Sequence, residues 1–373
     1  LQISPFLSNL LSGLLAWPGG LCESQLRDMT IGKVKKLLKR RLKDLELCYG
    51  HASNSLILPV DVDLTALGDD GQRQDAGRGK LNVVVVQNCY PKVKDFLSDM
   101  SQSEDVSLSK LRLHFADICQ LIEVSFKTHM DVLCSVDSVN MIVFPEVSIH
   151  ISQLDDVKKL ADKYNCIVFC GLVFCSCPWE PGRYINTGVW VIPQKKAEGR
   201  TREFTLLYQG KLHPIPMEEK GGVIPWRPVQ WLVRGKVGRK TIWRLTASMC
   251  YDSTDVKLAA DLRDLVDCYI ISAFNRDVNV FDAMAEAMRY HLYNHTVIAN
   301  SGEFGGSTIQ APYENTYDRL LLHAHGADQA LVAIKTLMLS DFVRAHHKAA
   351  GTRGRKKRRK ARKTSPAGFV GRV

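Results

Sequence analysis

The sequence predicts an α/β fold with strands inside and helices outside, on three observations. Leu81–Gln87 (LNVVVVQ) is an unbroken, mostly β-branched run, the pattern of a strand covered on both faces. After it, helix-like and strand-like segments alternate to about residue 300, as layered α/β domains require. The 373 residues are 45% apolar and 24% charged, an ordinary globular composition and enough for one large domain or two medium ones. Collagen, disorder throughout and a small disulfide scaffold are excluded.

Taken in order, Thr30–Cys48 places Val34, Leu37, Leu38, Leu42 and Leu45 on one side of a helix, with Lys33, Lys35, Lys36, Lys39, Arg40 and Lys43 around the others. This is a basic amphipathic helix packing its apolar stripe on a neighbour. Ala66–Lys80 is rich in Gly and Asp and has little to bury, so it reads as a linker with a boundary near residue 80. Helices are expected over Ser107–Thr128, Asp155–Lys163, Asp255–Leu265 and Phe281–Asn294. Strands are expected over Asn140–Phe144, Cys166–Phe174, Tyr184–Pro193, Glu203–Tyr208, Lys240–Met249, Cys268–Ser272 and Thr296–Asn300. Three units follow: residues 1–79 as an N-terminal helical extension and linker, 80–342 as the α/β domain, and 343–373 as a disordered basic tail.

The formal charge is +11, but Arg344–Val373 holds twelve Lys or Arg and no acid, so the other residues sum to −1. A nucleic-acid-binding body is therefore not indicated; only the run Arg353–Lys363 (RGRKKRRKARK) could act as an electrostatic arm toward nucleic acid. That run cannot fold alone, because like charges repel and nothing apolar is there to bury. Eleven cysteines without regular spacing suit a reducing, cytoplasmic setting better than a disulfide framework. No apolar stretch reaches the roughly 18–20 residues that span a bilayer, and Leu1–Trp17 is broken by Ser4, Pro5, Ser8, Asn9, Ser12 and Gly13. That stretch lacks the basic start of a signal peptide, and the leading Leu in place of Met fits a piece of a longer chain.

Three segments each deliver one reactive side chain from the end of a strand, where the active sites of α/β sheets collect. Ile142–Glu146 (IVFPE) delivers a carboxylate, Tyr208–Pro214 (YQGKLHP) an ammonium, and Thr246–Asp252 (TASMCYD) a thiol. Taken singly, each is ordinary: a solvated Glu, a solvated Lys and a packed Cys. Together, with F-P-E at Phe144–Glu146, K-L-x-P at Lys211–Pro214 and C-Y-D at Cys250–Asp252, they resemble the nitrilase, or carbon–nitrogen hydrolase, superfamily, whose catalytic set is Glu, Lys and Cys in that order. Val83–Gln87, Ala161–Gly171, Ile185–Pro193 and Tyr293–Pro312 are similar to further segments of that family, and the resemblance runs from residue 80 to about 342.

The resemblance implies a four-layer α-β-β-α sandwich, self-association into a homo-oligomer, and no metal or cofactor. It implies Cys250 as nucleophile, Glu146 as general base and acid, and Lys211 with the backbone N–H of Tyr251 as oxyanion donors. A second glutamate that orients the lysine is best matched by Glu218, with Glu219 as the fallback. Attack on an amide or nitrile carbon asks for that equipment: a thiolate, a proton shuttle and stabilisation of a tetrahedral intermediate. C-Y-D favours amidase over nitrilase chemistry, since true nitrilases usually carry Trp-Glu after the cysteine. The chain departs from the family where Ser253-Thr254-Asp255 replaces an aromatic-Pro-Glu. Asn275 and Arg276, after the next strand, stand where a polar or anionic substrate group would bind, or are a loop cap and a surface cation.

Other constellations carry less. Cys170, Cys175 and Cys177 lack zinc-knuckle spacing, and His323-Ala324-His325 has no third ligand at motif spacing, so no metal is expected. Gly305-Gly306 is not a phosphate loop. Ile3–Leu11 resembles a stretch of reverse transcriptases, and nitrilase-like domains occur fused to bacterial ones. That fits a different kind of protein, a nitrilase-like binding or regulatory module of a reverse transcriptase-associated defence protein. Convergence of the Cys, Glu and Lys side chains on an open pocket discriminates for hydrolysis and against that module.

Overall fold

The computed structural model describes residues 29–50, 56–67, 79–96, 107–133, 136–196, 201–344 and 361–372, with the side chains of 42–50 outside that description. Its strands are β1 Ile57–Asp63, β2 Lys80–Gln87, β3 Met141–Val143, β4 Ile167–Gly171, β5 Cys175–Ser176, β6 Tyr184–Ile185, β7 Thr187–Pro193, β8 Phe204–Gly210, β9 Gln230–Val237, β10 Lys240–Met249, β11 Cys268–Ala273, β12 His295–Asn300, β13 Ser307–Gln310, β14 Leu320–Ala324 and β15 Leu331–Met338. The helices are α1 Ile31–Gly50, α2 Leu108–Lys127, α3 Leu154–Tyr164, α4 Pro216–Lys220, α5 Val256–Leu262, α6 Val278–His291 and α7 Thr316–Arg319.

Two mixed sheets form the centre, ordered β1-β9-β10-β11-β12-β13-β14 and β15-β2-β3-β4-β7-β8. The valine run of β2 shows why the strands lie inside. Val83 and Val85 enter the core between the sheets, with Phe169, Trp190, Leu245 and Ile270. Val84 and Val86 face the other way, onto Phe115, Ile118 and Ile122 of α2 and Val157 and Leu160 of α3. On the far side, Tyr269, Ile271 and Ile298 pack beneath Leu258 and Leu262 of α5 and Phe281, Met284 and Met288 of α6. The layers therefore run helix, sheet, sheet, helix, the four-layer sandwich expected.

The helices follow from their sequences. In α2, Leu111, Phe115, Ile118 and Ile122 are buried at three- and four-residue spacing, and the Ser107 side chain caps the first turn by accepting the N–H of Lys110. Asp155 and Asp156 lie in the first turn of α3, where the helix dipole favours acids, and Asn165 ends it in the left-handed conformation.

Two expectations need correction. The segment before residue 80 is not all extension and linker: β1 pairs in parallel with β9, Ile57 opposite Gln230 through Asp63 opposite Lys236. Val62, Leu64 and Leu67 then join the inter-sheet core. The stretch Ala66–Lys80, read as a linker, is outside the described residues from 68 to 78, as are Ile3–Leu11 and the basic run from 353 to 360. Nor is the whole tail disordered. Arg362 bridges to Tyr313, and Phe369 is buried against Tyr293 and Phe342. Arg372, 1% exposed, lies 3.3 Å from Asp267 and donates to the carbonyls of Phe342, Leu292 and Tyr293. The physical reason is that residues 361–372 contain an aromatic to bury and an arginine that neutralises a buried carboxylate. Among the described residues no helix is long and apolar enough to cross a membrane, and eight cysteines are free.

Candidate active site

Four strands of the two sheets deliver the site from their C-terminal ends. Glu146 follows β3 through Phe144-Pro145, and its N–H reaches Ala273 O at the end of β11. Gly171 lets that chain pass: a Cβ there would stand 2.4 Å from Glu146 Cα. Lys211 follows β8, with its N–H on Asn186 O at 3.0 Å and its carbonyl accepting Trp226 N–H at 2.8 Å. Gly210 before it is required too, since a Cβ would lie 1.8 Å from Trp226 O. Cys250 follows β10 at the start of the 3-10 turn Cys250–Thr254, with φ of 39° and Ser253 Oγ donating to its carbonyl at 2.6 Å. Val147, a β-branched residue, also has positive φ, 52°. Such conformations cost about 1–3 kcal/mol each and persist where surrounding structure holds them.

These residues converge. Lys211 Nζ lies 3.0 Å from Glu146 Oε1 and 2.9 and 2.7 Å from the two oxygens of Glu218. The Cys250 thiol lies close enough to Glu146 and Lys211 to feel both charges, and Glu146 Oε2 accepts the Phe274 N–H at 3.1 Å. Asn186 Nδ2 donates to Glu146 Oε1 at 2.7 Å and to Glu218 Oε1 at 2.6 Å. Glu218 is held by α4, where its Oε2 accepts the Ile215 N–H at 2.7 Å. Glu218 is buried and Glu219 exposed.

Burial raises the Glu146 carboxyl above its ordinary range, Lys211 pulls it down, Glu218 pushes it up, and the net is upward. Burial also pushes the Cys250 thiol well up; the Glu146 charge adds to this and the Lys211 charge opposes it. For Lys211 burial acts downward, but the charges of Glu146 and Glu218 outweigh it, so the ammonium is held protonated. Burial thus favours the neutral thiol, on which the Lys211 and Glu146 charges act in opposite directions.

The cluster opens on a cavity of about 260 Å³, lined by Glu146, Lys211, Glu218 and Cys250 and walled by Val93, Val147, Phe174, Met217, Phe274 and Phe304. Asn275 and Arg276 line it as well. Asn275 is engaged in the loop, with Nδ2 on Asp277 O at 2.7 Å and its N–H on Asn300 Oδ1 at 2.9 Å. Arg276 is exposed and makes no hydrogen bond or ion pair among the described residues. The Tyr251 side chain is 48% exposed and does not line the cavity.

Sequence reasoning missed three members of this assembly. Asn186 carries no titratable group, although it sits inside Ile185–Pro193. Asp252 is fully buried and accepts the N–H groups of Leu212 and His213, the two residues after Lys211. Arg227 pairs with it at 2.9 Å. The Asp of C-Y-D was visible as a motif letter; its partner, 25 residues upstream, was not.

No protein-family model matches the chain, and no curated protein matches it. Among solved structures it is similar to Nit3 of Saccharomyces cerevisiae, a member of branch 10 of the nitrilase superfamily, with TM-score 0.49 and 14% identity over 68% of this chain and 89% of that one. It is similar to an amidase from Nesterenkonia sp., with TM-score 0.47 and 12% identity over 70% and 92%. A third is XC1258 of Xanthomonas campestris, described as a CN-hydrolase superfamily protein with an arsenic adduct in the active site, with TM-score 0.45 and 11% identity over 68% and 90%.

Proposed function

We propose that the protein is a thiol-dependent hydrolase of a non-peptide carbon–nitrogen bond of the amide type, working through Cys250, Glu146 and Lys211. The observation that carries this reading is the convergence of a thiol, a carboxylate and an ammonium on one cavity wall, with the ammonium hydrogen-bonded to the carboxylate. The motif order F-P-E, K-L-x-P, C-Y-D supports it independently.

The chemistry runs as follows. Cys250 Sγ attacks the amide carbon as its proton passes to Glu146, and the C–S bond forms while the carbonyl becomes an oxyanion. Lys211 Nζ and the Tyr251 N–H receive that charge. Collapse breaks the C–N bond, the amine leaves with the proton from Glu146, and a thioester remains. Water, deprotonated by Glu146, attacks the thioester, releases the acid and returns the proton to sulfur. The raised thiol is consistent with this: proton transfer accompanies attack, and no standing thiolate is needed. Glu218 and Asn186 hold the lysine and the base in place. Small amides fit a cavity of this size, and the free guanidinium of Arg276 on an otherwise largely apolar wall favours an acyl group bearing an anion.

Self-association and contact of Arg353–Lys363 with nucleic acid belong to the same proposal. Exposed Val256, Leu265 and Val280 on and beside α5 and α6 support the first, the charge run the second. Sedimentation and a salt titration of RNA and DNA binding test them.

The primary test is intact-mass spectrometry of wild type and Cys250→Ala after incubation with a panel of amides and nitriles. The expected result is an acyl adduct on wild type, absent from the variant. No adduct and no turnover over a broad panel overturns the hydrolase reading.

A further inference from the structure

His323 lies in β14 and His325 one residue past its end, two positions on. Their rings meet edge to face with centroids 3.9 Å apart. The sequence alone offers no third ligand near them; the fold supplies one from another element. Asp282, in the second turn of α6, has Oδ2 2.8 Å from His323 Nε2. Its other oxygen, Oδ1, is sealed from solvent and has no hydrogen-bond partner. One ligand-type atom from each residue lies within 4.8 Å of the others.

We propose that Asp282, His323 and His325 form a binding site for one first-row divalent transition-metal cation of the zinc class. Two imidazoles and a carboxylate, with no thiolate, are the donors such borderline cations take, whereas magnesium and calcium prefer oxygen alone. Metal–ligand bonds of about 2.0–2.2 Å require tetrahedral donor atoms to stand roughly 3.3 Å apart. The Asp282–His323 spacing of 2.8 Å lies below that value and no spacing among the three exceeds 4.8 Å, so side-chain rotations close the set. The cation replaces the proton shared by His323 and Asp282, and the exposed edge at His325 leaves its remaining positions to water. The unpartnered Oδ1 gives the carboxylate a second donor atom to turn inward.

The site joins two segments that wall the cavity. Helix α6 begins directly after Arg276 through its cap Asp277, and β14 pairs with β13, Ala324 opposite Ser307, three residues beyond Phe304. A bound cation thus clips the Phe274–Asp277 loop to the Phe304 turn at a distance from the thiol.

The test is titration of the full chain with Co(II), followed by absorption, and competition with Zn(II). One equivalent bound with micromolar or tighter affinity and without an intense thiolate-to-metal band is expected. His325→Gln, at an exposed position where folding is not at stake, and Asp282→Asn should each weaken binding tenfold or more. Zn(II) should raise the melting temperature of wild type and leave that of His325→Gln unmoved. Absence of binding, a thiolate band, or unchanged affinity in His325→Gln overturns the proposal. Each readout is metal binding itself, so the result is independent of whether Cys250 turns over an amide.

Discussion

Asp252 and Arg227 form an ion pair at 2.9 Å with side chains 0% and 2% exposed. The carboxylate also accepts two N–H groups from the chain just after Lys211, so one side chain ties the Cys250 turn to the Lys211 loop. Breaking one partner of such a buried pair costs about 3–5 kcal/mol. Asp252→Asn should lower stability by that order in urea unfolding. It should also lose turnover under conditions where it remains folded, because the lysine loop is released. Full activity in the folded variant would separate the anchor from the chemistry.

In the proposed mechanism Glu146 bears on Cys250 in two opposed ways, as base and as a negative charge that holds the thiol up. Glu146→Gln should therefore reduce kcat by about 10²–10⁴. At the same time the thiol falls toward its ordinary range, and alkylation of Cys250 at pH 8 should quicken. Slower alkylation would mean that the carboxylate deprotonates the resting thiol instead.

The raised Glu146 carboxyl sets an acid limb for kcat/KM. Activity needs the ionised carboxylate, so it rises with pH through a midpoint above the ordinary value of 4.5. Glu218 contributes to that elevation by charge repulsion. Glu218→Gln should move the limb to lower pH, together with reduced kcat from a less well-held lysine. A limb that moves upward would contradict this electrostatic assignment.

If Arg276 meets an anionic acyl group, Arg276→Gln should raise KM for anionic amides tenfold or more and leave neutral amides within about twofold, since an exposed charge-assisted contact is worth roughly 1.5–3 kcal/mol at most. Equal effects on both substrate sets would assign the arginine to the loop alone.

Burial raises the Asp267 carboxyl, and Arg372 and Arg244 oppose it. With a folded value above the unfolded one, this group's favourable contribution is complete below the unfolded range and is lost as pH rises through the folded value. Arg372→Met raises the folded value further. Its destabilisation should be about 3–5 kcal/mol at pH 8 and smaller at pH 4, where Asp267 is neutral in the variant. Denaturant midpoints at the two pH values provide the check.

What could be read from the chain depended on how completely each segment is covered. Strands buried on both faces, such as β2, β4 and β7, announce themselves as apolar runs. Three of the four sheet edges, β1, β14 and β15, did not, because an edge strand mixes exposed and buried residues: β1 carries Pro59, Asp61 and Asp63 within seven positions. The inner strand β9 was hidden by Arg234 and Lys236, and β13 by its four-residue length. Within the site, groups that titrate or attack stood out by type. The neutral Asn186 and the Asp252–Arg227 pair did not, since their importance lies in which atoms they reach across the fold.

The clasp of residues 361–372 also has a consequence for the order of events during synthesis. Asp267 emerges from the ribosome about a hundred residues before Arg372, an interval on the order of 5–20 s. Within it the sheet that holds β10, β11 and β12 can form and bury that carboxylate, but of its two arginines only Arg244 is yet present to meet its charge. Nascent chains therefore pass through a half-clasped state with Tyr293 uncovered, and a chaperone that recognises aromatic surface has its opportunity there, before residues 361–372 close over it.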